Sequence, residues 1–428
     1  MTTTNPAAAA NDRRQAASTA GRPTLLVISQ VYPPDPTAVG QYLAEVAEEA
    51  VRRGWRAVVY TASRGYDDPR IRFASREIRN GVEVRRLPLS SFGKSSLAIR
   101  LVAQALFLLQ ASVRGLFVGR LRAVLASTSP PFTGPGAAFI SRIRGARLLW
   151  WVMDLNPDQL VAASRARPEA LAVRIFDWLN RITLARADVV VALDDFMRQR
   201  LLAKLAVPEK MHVIPPWPID VATADQAESG DRFRQRHALD EHFVVMYAGN
   251  HSPQNPLDTL LAAAENLRDR RDIRFVFVGG GGGKKAVEDL AGALPATVLS
   301  LPYQPRDQLH EMLAAADLHV VSIGDPMIGI LHPCKIYTAM HVGKPILVLG
   351  SKQSPAGRIV TAHGLGWCVE HGDVAGAEKA ILQARDFGRL TLREMGDRAA
   401  SVAAEHYSRE TLLDRLCGLL LGQPADTR

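Results

Sequence analysis

Short apolar runs alternate with longer stretches of helical period through most of this chain, a pattern that predicts repeated strand–helix units. Residues 24–29 (TLLVIS), bounded by Pro23 and YPPDP, read as a parallel strand buried on both faces. The loop QVYPPDPTAVGQ, a helix over 42–53 closed by Gly54, and a strand over 55–61 complete a βαβ opening. Residues 81–88 alternate like a strand. A long helical stretch, 96–122, places Arg100, Gln104, Gln110 and Arg114 within one arc of about 120°, with the remaining face apolar and Arg120 and Arg122 behind it. Strands are expected at 123–127, 147–152, 189–193 and 211–215, and STSPPFTGPG reads as a loop rich in breakers.

PPWP at 215–218 interrupts the alternation, and the polar stretch to Asp240 reads as a linker carrying a short helix. The pattern then restarts. Strands are expected at 243–248, 273–278, 298–301, 318–323, 346–349 and 364–369, with helices between them and two more, 391–405 and 408–421, at the end. The expected division is a tail (1–22), an α/β domain (23–216), a linker (217–240), a second α/β domain (241–404) and a C-terminal helix with its tail (405–428), with a cleft between the two domains.

The chain is organised around 327–349, MIGILHPCKIYTAMHVGKPILVL. Pro333 suits a first helical position, Gly343 a C-terminal cap, and Lys335 then falls in the first turn. A helix start offers unpaired N–H groups and a positive dipole end, and a lysine beside it adds a full charge, which favours a phosphate. The strand–GGGGG–helix at 275–290, with Lys284 and Lys285, is a second candidate of the same kind. Together they suit a diphosphate. Asp154 and Asp158 follow the strand at 147–152, where ligands sit in doubly wound sheets, and each is a candidate acid, base or acceptor anchor. Asp158 is equally a candidate helix cap.

Composition is that of a globular protein of 428 residues with a formal charge of +9, which favours anionic partners. No nucleic-acid motif occurs, so nucleic acid ranks last. The three cysteines have no metal-binding spacing and fit a reducing, cytoplasmic compartment. Residues 1–22 lack the apolar core of a signal peptide, and no apolar stretch reaches the ~18–20 residues of a spanning helix. The segment 96–122 has two readings, a helix packed on the sheet or one resting on anionic lipid. The excess of arginine over acid, with no Asp or Glu between Lys94 and Trp151, raises the second.

The ordered set SQVYPPDPTAVGQY, STSPPFTGPG, WVMDLNPD, YAGNHSPQNPLDTLL, FVFVGGGGG, LPYQPRDQL, AAADLHVVSI and HPCKIYTAMHVGKPIL resembles retaining glycosyltransferases of the GT-B fold, family 4, of the bacterial exopolysaccharide, O-antigen and colanic-acid type. The resemblance implies two Rossmann-like doubly wound parallel-sheet domains facing a cleft, with the final helix crossing back to the first domain. It implies a nucleotide-sugar, UDP by family frequency, whose diphosphate meets Gly40, Asn250, His251, Ser252, Gly279, Gly280, Gly281 and Lys335. The base would lie by Pro302 and Tyr303, the transferred sugar near 325–333, and the acceptor at Asp154. Neither a metal nor a cofactor is expected, and the acceptor would be lipid-linked or an oligosaccharide at the inner face of the plasma membrane.

The sequence departs from the family where two glutamates are usual: Ile330 and Thr338 stand there. Thr338 or Tyr337 would take the ribose contact, and His251 and His332 would compensate for other missing donor contacts, Asp325 lying at the head of the same loop. The competing readings are a nucleotide-sugar epimerase or hydrolase of the same fold, and a non-catalytic sugar-nucleotide-binding subunit.

Overall fold

The computed structural model describes residues 21–35, 37–65, 68–90, 97–218 and 226–422. Most of the expected N-terminal tail and part of the expected linker lie outside these. The described chain forms two compact units, Met1–Val161 with Ala166–Pro215 and Glu410–Arg428, and Ala162–Arg165 with Pro216–Arg409.

The first unit holds eight strands: β1 (Thr24–Ile28), β2 (Arg56–Ala62), β3 (Arg76–Arg79), β4 (Val82–Leu87), β5 (Leu121–Ser127), β6 (Arg147–Trp151), β7 (Val189–Ala192) and β8 (Met211–Val213). Their order is β3-β4-β2-β1-β5-β6-β7-β8, parallel except for the β3–β4 hairpin. Leu25, Leu26 and Val27 of β1 are wholly buried, as the unbroken apolar run predicts. The edge strand β3, REIR, is unexpected. It is held by Arg86, a buried guanidinium that donates to Glu77 Oε1 (2.8 Å), to Ala74 O (3.0 Å) and to Pro33 O (2.9 Å).

Three helices correct the sequence reading. The first begins at Ala38, so Gly40 lies inside its first turn rather than before it. A Cβ there would sit 3.1 Å from the Tyr32 backbone, so the missing side chain makes room for the preceding loop. The long stretch is helical only over Leu97–Leu116. Three-residue turns at Phe117 and Val118 unwind it, Arg120 takes a positive φ of 51°, and Arg122 belongs to β5. The breaker-rich loop is in fact the start of a helix, Thr133–Arg144. Pro135 falls in its first turn, where a missing N–H costs nothing. Gly134 and Gly136 let it close on its neighbours: added Cβ atoms would lie 2.7 Å from Thr183 and 3.0 Å from Ser112 Oγ. A further helix spans Leu171–Arg186.

The second unit holds β9 (Phe243–Ala248), β10 (Ile273–Val278), β11 (Val298–Leu301), β12 (Leu318–Ser322), β13 (Ile346–Leu349) and β14 (Gly366–Val369). They form one parallel sheet in the order β11-β10-β9-β12-β13-β14. The order reverses between β9 and β12, as it does between β1 and β5 in the first unit. In open α/β sheets the crevice at such a reversal receives the ligand. The last helix, Arg409–Leu421, packs on the first unit: Asp414 accepts from Arg53 at 2.6 Å and Leu419 O from Arg147 at 2.8 Å. No helix among the described residues is long and apolar enough to cross a membrane.

Candidate active site

Loops from β9, β10 and β12 meet at the reversal point of the second sheet. Gly249 N–H donates to Val278 O (2.8 Å), His251 N–H to Gly280 O (2.8 Å) and Gly283 N–H to His251 O (2.8 Å), lacing the Asn250–Ser252 loop to the glycine run. The glycines are needed for this closeness. Gly279 has φ 135°, and a Cβ on it would lie 2.0 Å from Gly249 O; a Cβ on Gly281, φ 128°, would lie 2.2 Å from Asn250 Oδ1. The N–H groups of Gly280, Gly281 and Gly282 have no partner among the described residues. On the far side, Gly324 N–H donates to Gln254 O (2.9 Å) and Ser322 Oγ to Pro256 O (2.6 Å).

Lys335 enters this cluster. Its helix spans Lys335–His341, two residues later than Pro333 suggests, because the turn from Pro333 is wound with three-residue hydrogen bonds from Ile336 and Tyr337. Nζ donates to Tyr247 Oη at 2.6 Å and stands 4.2 Å from the ring centroid, and Tyr247 Oη in turn donates to Asn250 O (2.7 Å). A Cβ on Gly249, φ 140°, would lie 2.1 Å from Lys335 Cε. No carboxylate pairs with Lys335 among the described residues, and burial lowers its pKa to about 7. The structure therefore brings Lys335, Gly249, Gly279 and the Asn250–Ser252 loop together, as the diphosphate reading requires.

Other expected residues lie around them. Tyr303 is exposed beside Gly280, its Oη 3.4 Å from Gly280 O, and follows Pro302 after β11. Lys284 Nζ donates to Leu301 O (2.7 Å), while Lys285 turns outward to Asp289 (2.9 Å). His251 is buried against Tyr247 and Phe277 with neither ring nitrogen bonded; burial, with Lys284 and Lys335 nearby, lowers its pKa to about 4. Asp325 Oδ1 accepts from Ser351 N–H (3.2 Å). Tyr337 is buried and bonded through Oη to His332 Nε2 (2.7 Å), the two rings nearly parallel. This pair braces the loop, which leaves half-buried Thr338 as the more open of the two expected ribose contacts. Ile330, where the family carries a glutamate, is packed away from solvent.

In the first unit, Asp154 follows β6. Its N–H and that of Met153 donate to Thr128 Oγ1 (3.0 and 3.1 Å). Nothing among the described residues bonds its carboxylate, and burial raises its pKa to about 6. Asp158 differs: it opens the helix Asp158–Ala162 and is ion-paired to Lys204 at 2.7 Å. Tyr247, Thr128 and Gln254 escaped the sequence reading. Only Tyr247 had a signal, a phenol near the end of an otherwise apolar strand.

Comparison with known proteins agrees with this geometry. The model of the glycosyl transferase 4-like domain matches residues 37–217, and that of the glycosyl transferases group 1 matches 229–399. The chain belongs to these glycosyltransferases. It is 24% identical over 395 residues to the putative colanic acid biosynthesis glycosyl transferase WcaI of Escherichia coli K12, covering 86% of this chain and 96% of that one. It is 24% identical over 295 residues to the probable glycosyltransferase WbjE of Pseudomonas aeruginosa, covering 68% and 72%. Among solved structures, WaaG, a glycosyltransferase involved in lipopolysaccharide biosynthesis, superposes with a TM-score of 0.68 at 16% identity over 93% of this chain and all of that one. Anabaena Alr3699/HepE in complex with UDP and glucose gives 0.67 at 16% identity over 92% and 98%. The fold of this glycosyltransferase is GT-B, two parallel-sheet α/β units with a C-terminal helix returned to the first.

Proposed function

We propose that the protein is a retaining glycosyltransferase that moves a sugar from a UDP-sugar to a lipid-linked or oligosaccharide acceptor in cell-surface polysaccharide synthesis, at the inner face of the plasma membrane. The observation that carries the donor assignment is Lys335, an ammonium with no carboxylate partner among the described residues, set against Gly249 and Tyr247 at the sheet reversal. A diphosphate would accept from Lys335 and from the open N–H groups of Gly280 and Gly281, with Ser252 bordering it and Lys284 adding charge. The uracil would lie on Tyr303 beside Pro302. The solved neighbours that hold UDP support the nucleotide, and the names of WcaI and WaaG support the pathway class.

In this reading the donor phosphate takes the acceptor proton as the glycosidic bond loosens, and Lys335 stabilises the charge that grows on the leaving diphosphate. Asp154, ionised above about pH 6, accepts a hydrogen bond from the acceptor hydroxyl and fixes its approach. Asp158 acts on Lys204 and not on substrate. Thermal shift with UDP-, GDP- and dTDP-sugars tests the donor, since a true donor stabilises by mass action. Stabilisation by GDP-sugars alone would remove uridine from the proposal. Stabilisation without transfer to any lipid-linked acceptor would favour the binding-subunit reading, which the apolar Ile330 and the neutral Thr338 already motivate.

A further inference from the structure

Three helices of the first unit lie side by side as one layer. Leu97–Leu116 touches Thr133–Arg144 where a Cβ on Gly115 would meet Ile140 Cδ1 at 2.6 Å. Thr133–Arg144 meets Leu171–Arg186 at Gly134 and Thr183, and Phe132 stacks on Phe176 at 4.2 Å beside that contact. Each helix turns an apolar stripe to the sheet, and the first does so through Ala103, Phe107, Ala111 and Gly115. Each also carries a second apolar stripe that the protein leaves bare. Leu109 and Val113, with Phe117 just past the helix end, are 61%, 49% and 81% exposed, Phe139 and Ile143 52% and 55%, and Trp178 59%.

From residue 95 to residue 153 there is no Asp or Glu, while seven arginines occur. Arg114 and Arg142 are exposed on the first two helices, and neither meets a carboxylate among the described residues. The carboxylate beside Trp178, Asp177, is already bonded to Arg181 (2.9 Å) and Lys204.

We infer that this three-helix face is a membrane-docking surface that seats its apolar stripes among acyl chains and its arginines among anionic lipid headgroups. It extends the expectation for segment 96–122 in two ways. Arg120 and Arg122 leave the helix, and Phe139, Ile143 and Trp178 from two other helices join the surface. Charge decides against a second copy of the chain as occupant, because a symmetric pairing would bring an arginine-rimmed face against itself, and the one carboxylate on its three helices, Asp177, is already paired. The inference rests on the membrane part of the proposed function and is independent of the donor site.

The test is flotation of the full-length protein with vesicles containing phosphatidylglycerol and with vesicles of phosphatidylcholine alone. Flotation with the anionic vesicles is expected, weakening as salt rises. Phe139→Ser with Trp178→Ser should cut the bound fraction at least about tenfold, as losing two buried aromatic anchors implies. Arg114→Gln with Arg142→Gln should abolish the preference for anionic lipid. Stabilisation by UDP-glucose should persist in both double variants, which shows that they fold and separates failure here from failure of the donor assignment. Wild type remaining in solution with both vesicle types overturns the inference. So does a dimer by light scattering that Phe139→Ser with Trp178→Ser converts to monomer while flotation is unchanged.

Discussion

The two units share the order of six parallel strands, β4-β2-β1-β5-β6-β7 in the first and β11-β10-β9-β12-β13-β14 in the second, yet treat their outer helices differently. Of the sixteen large hydrophobic side chains exposed among the described residues, thirteen belong to the first unit and three, Tyr303, Phe387 and Leu390, to the second. The helix Val374–Asp386 is typical of the second: Ala377, Ala380, Ile381 and Ala384 face inward, and Lys379 and Gln383 face solvent. The helix Leu97–Leu116 buries an equivalent inner stripe but presents Leu109 and Val113 outside. One apolar stripe per helix suffices for a sheet-covering layer. A second stripe confined to one unit therefore answers a requirement other than folding, whereas the second unit concentrates its departures from ordinary chemistry in the loops around Lys335.

The largest effects should come from the inner layer. Phe107 is wholly buried on the sheet side of the first long helix, so Phe107→Ala should cost about 3–5 kcal/mol in chemical denaturation. A loss below about 1 kcal/mol would mean that the helix is held from its outer side instead. Gly279→Ala should cost about 3 kcal/mol, because it adds a side chain at φ 135° and drives Cβ into Gly249 O. Retention of both stability and UDP-glucose binding would show that the β9 and β10 loops are not locked together.

Lys335→Ala comes next. Losing a charge-assisted phosphate contact of ~1.5–3 kcal/mol predicts a more than tenfold rise in Kd for UDP-glucose by calorimetry. Unchanged affinity would detach the lysine from the donor. The same group sets a pH dependence. Burial holds the free lysine near pKa 7, below its ordinary value of 10.5, and a bound diphosphate favours the charged form. Binding then takes up a proton above pH 7. Affinity should be nearly flat below pH 7 and fall about tenfold between pH 7 and 8.5. Lys335→Arg, which keeps its charge, should flatten that profile.

Much of this was legible in the chain. Buried parallel strands announce themselves as unbroken apolar runs, so β1, β9, β10 and β13 fell where expected. The strand β3 was not, because REIR at a sheet edge has no apolar face to betray it. Nor was the start of the helix at Thr133, where Gly134 and Gly136 serve helix–helix contact and look like breakers out of context. At the site, Lys335 and the glycines could be read because helix starts and glycine runs are local signals. Tyr247 could not, since its partner lies 88 residues away and only the sheet reversal brings them together.

The smallest expected effect is the most discriminating for the comparison between units. Phe117 sits just past the end of the long helix with 81% of its surface in solvent, and Phe107 lies ten residues earlier on the buried side. Phe117→Ser removes almost no buried area, so it should change unfolding free energy by less than about 0.5 kcal/mol. If the outer stripe exists only because the folded unit needs it, the change should instead approach that of Phe107→Ala. A neutral Phe117→Ser beside a damaging Phe107→Ala would show that one helix carries two independent apolar faces, one for the sheet and one left for whatever the protein meets outside.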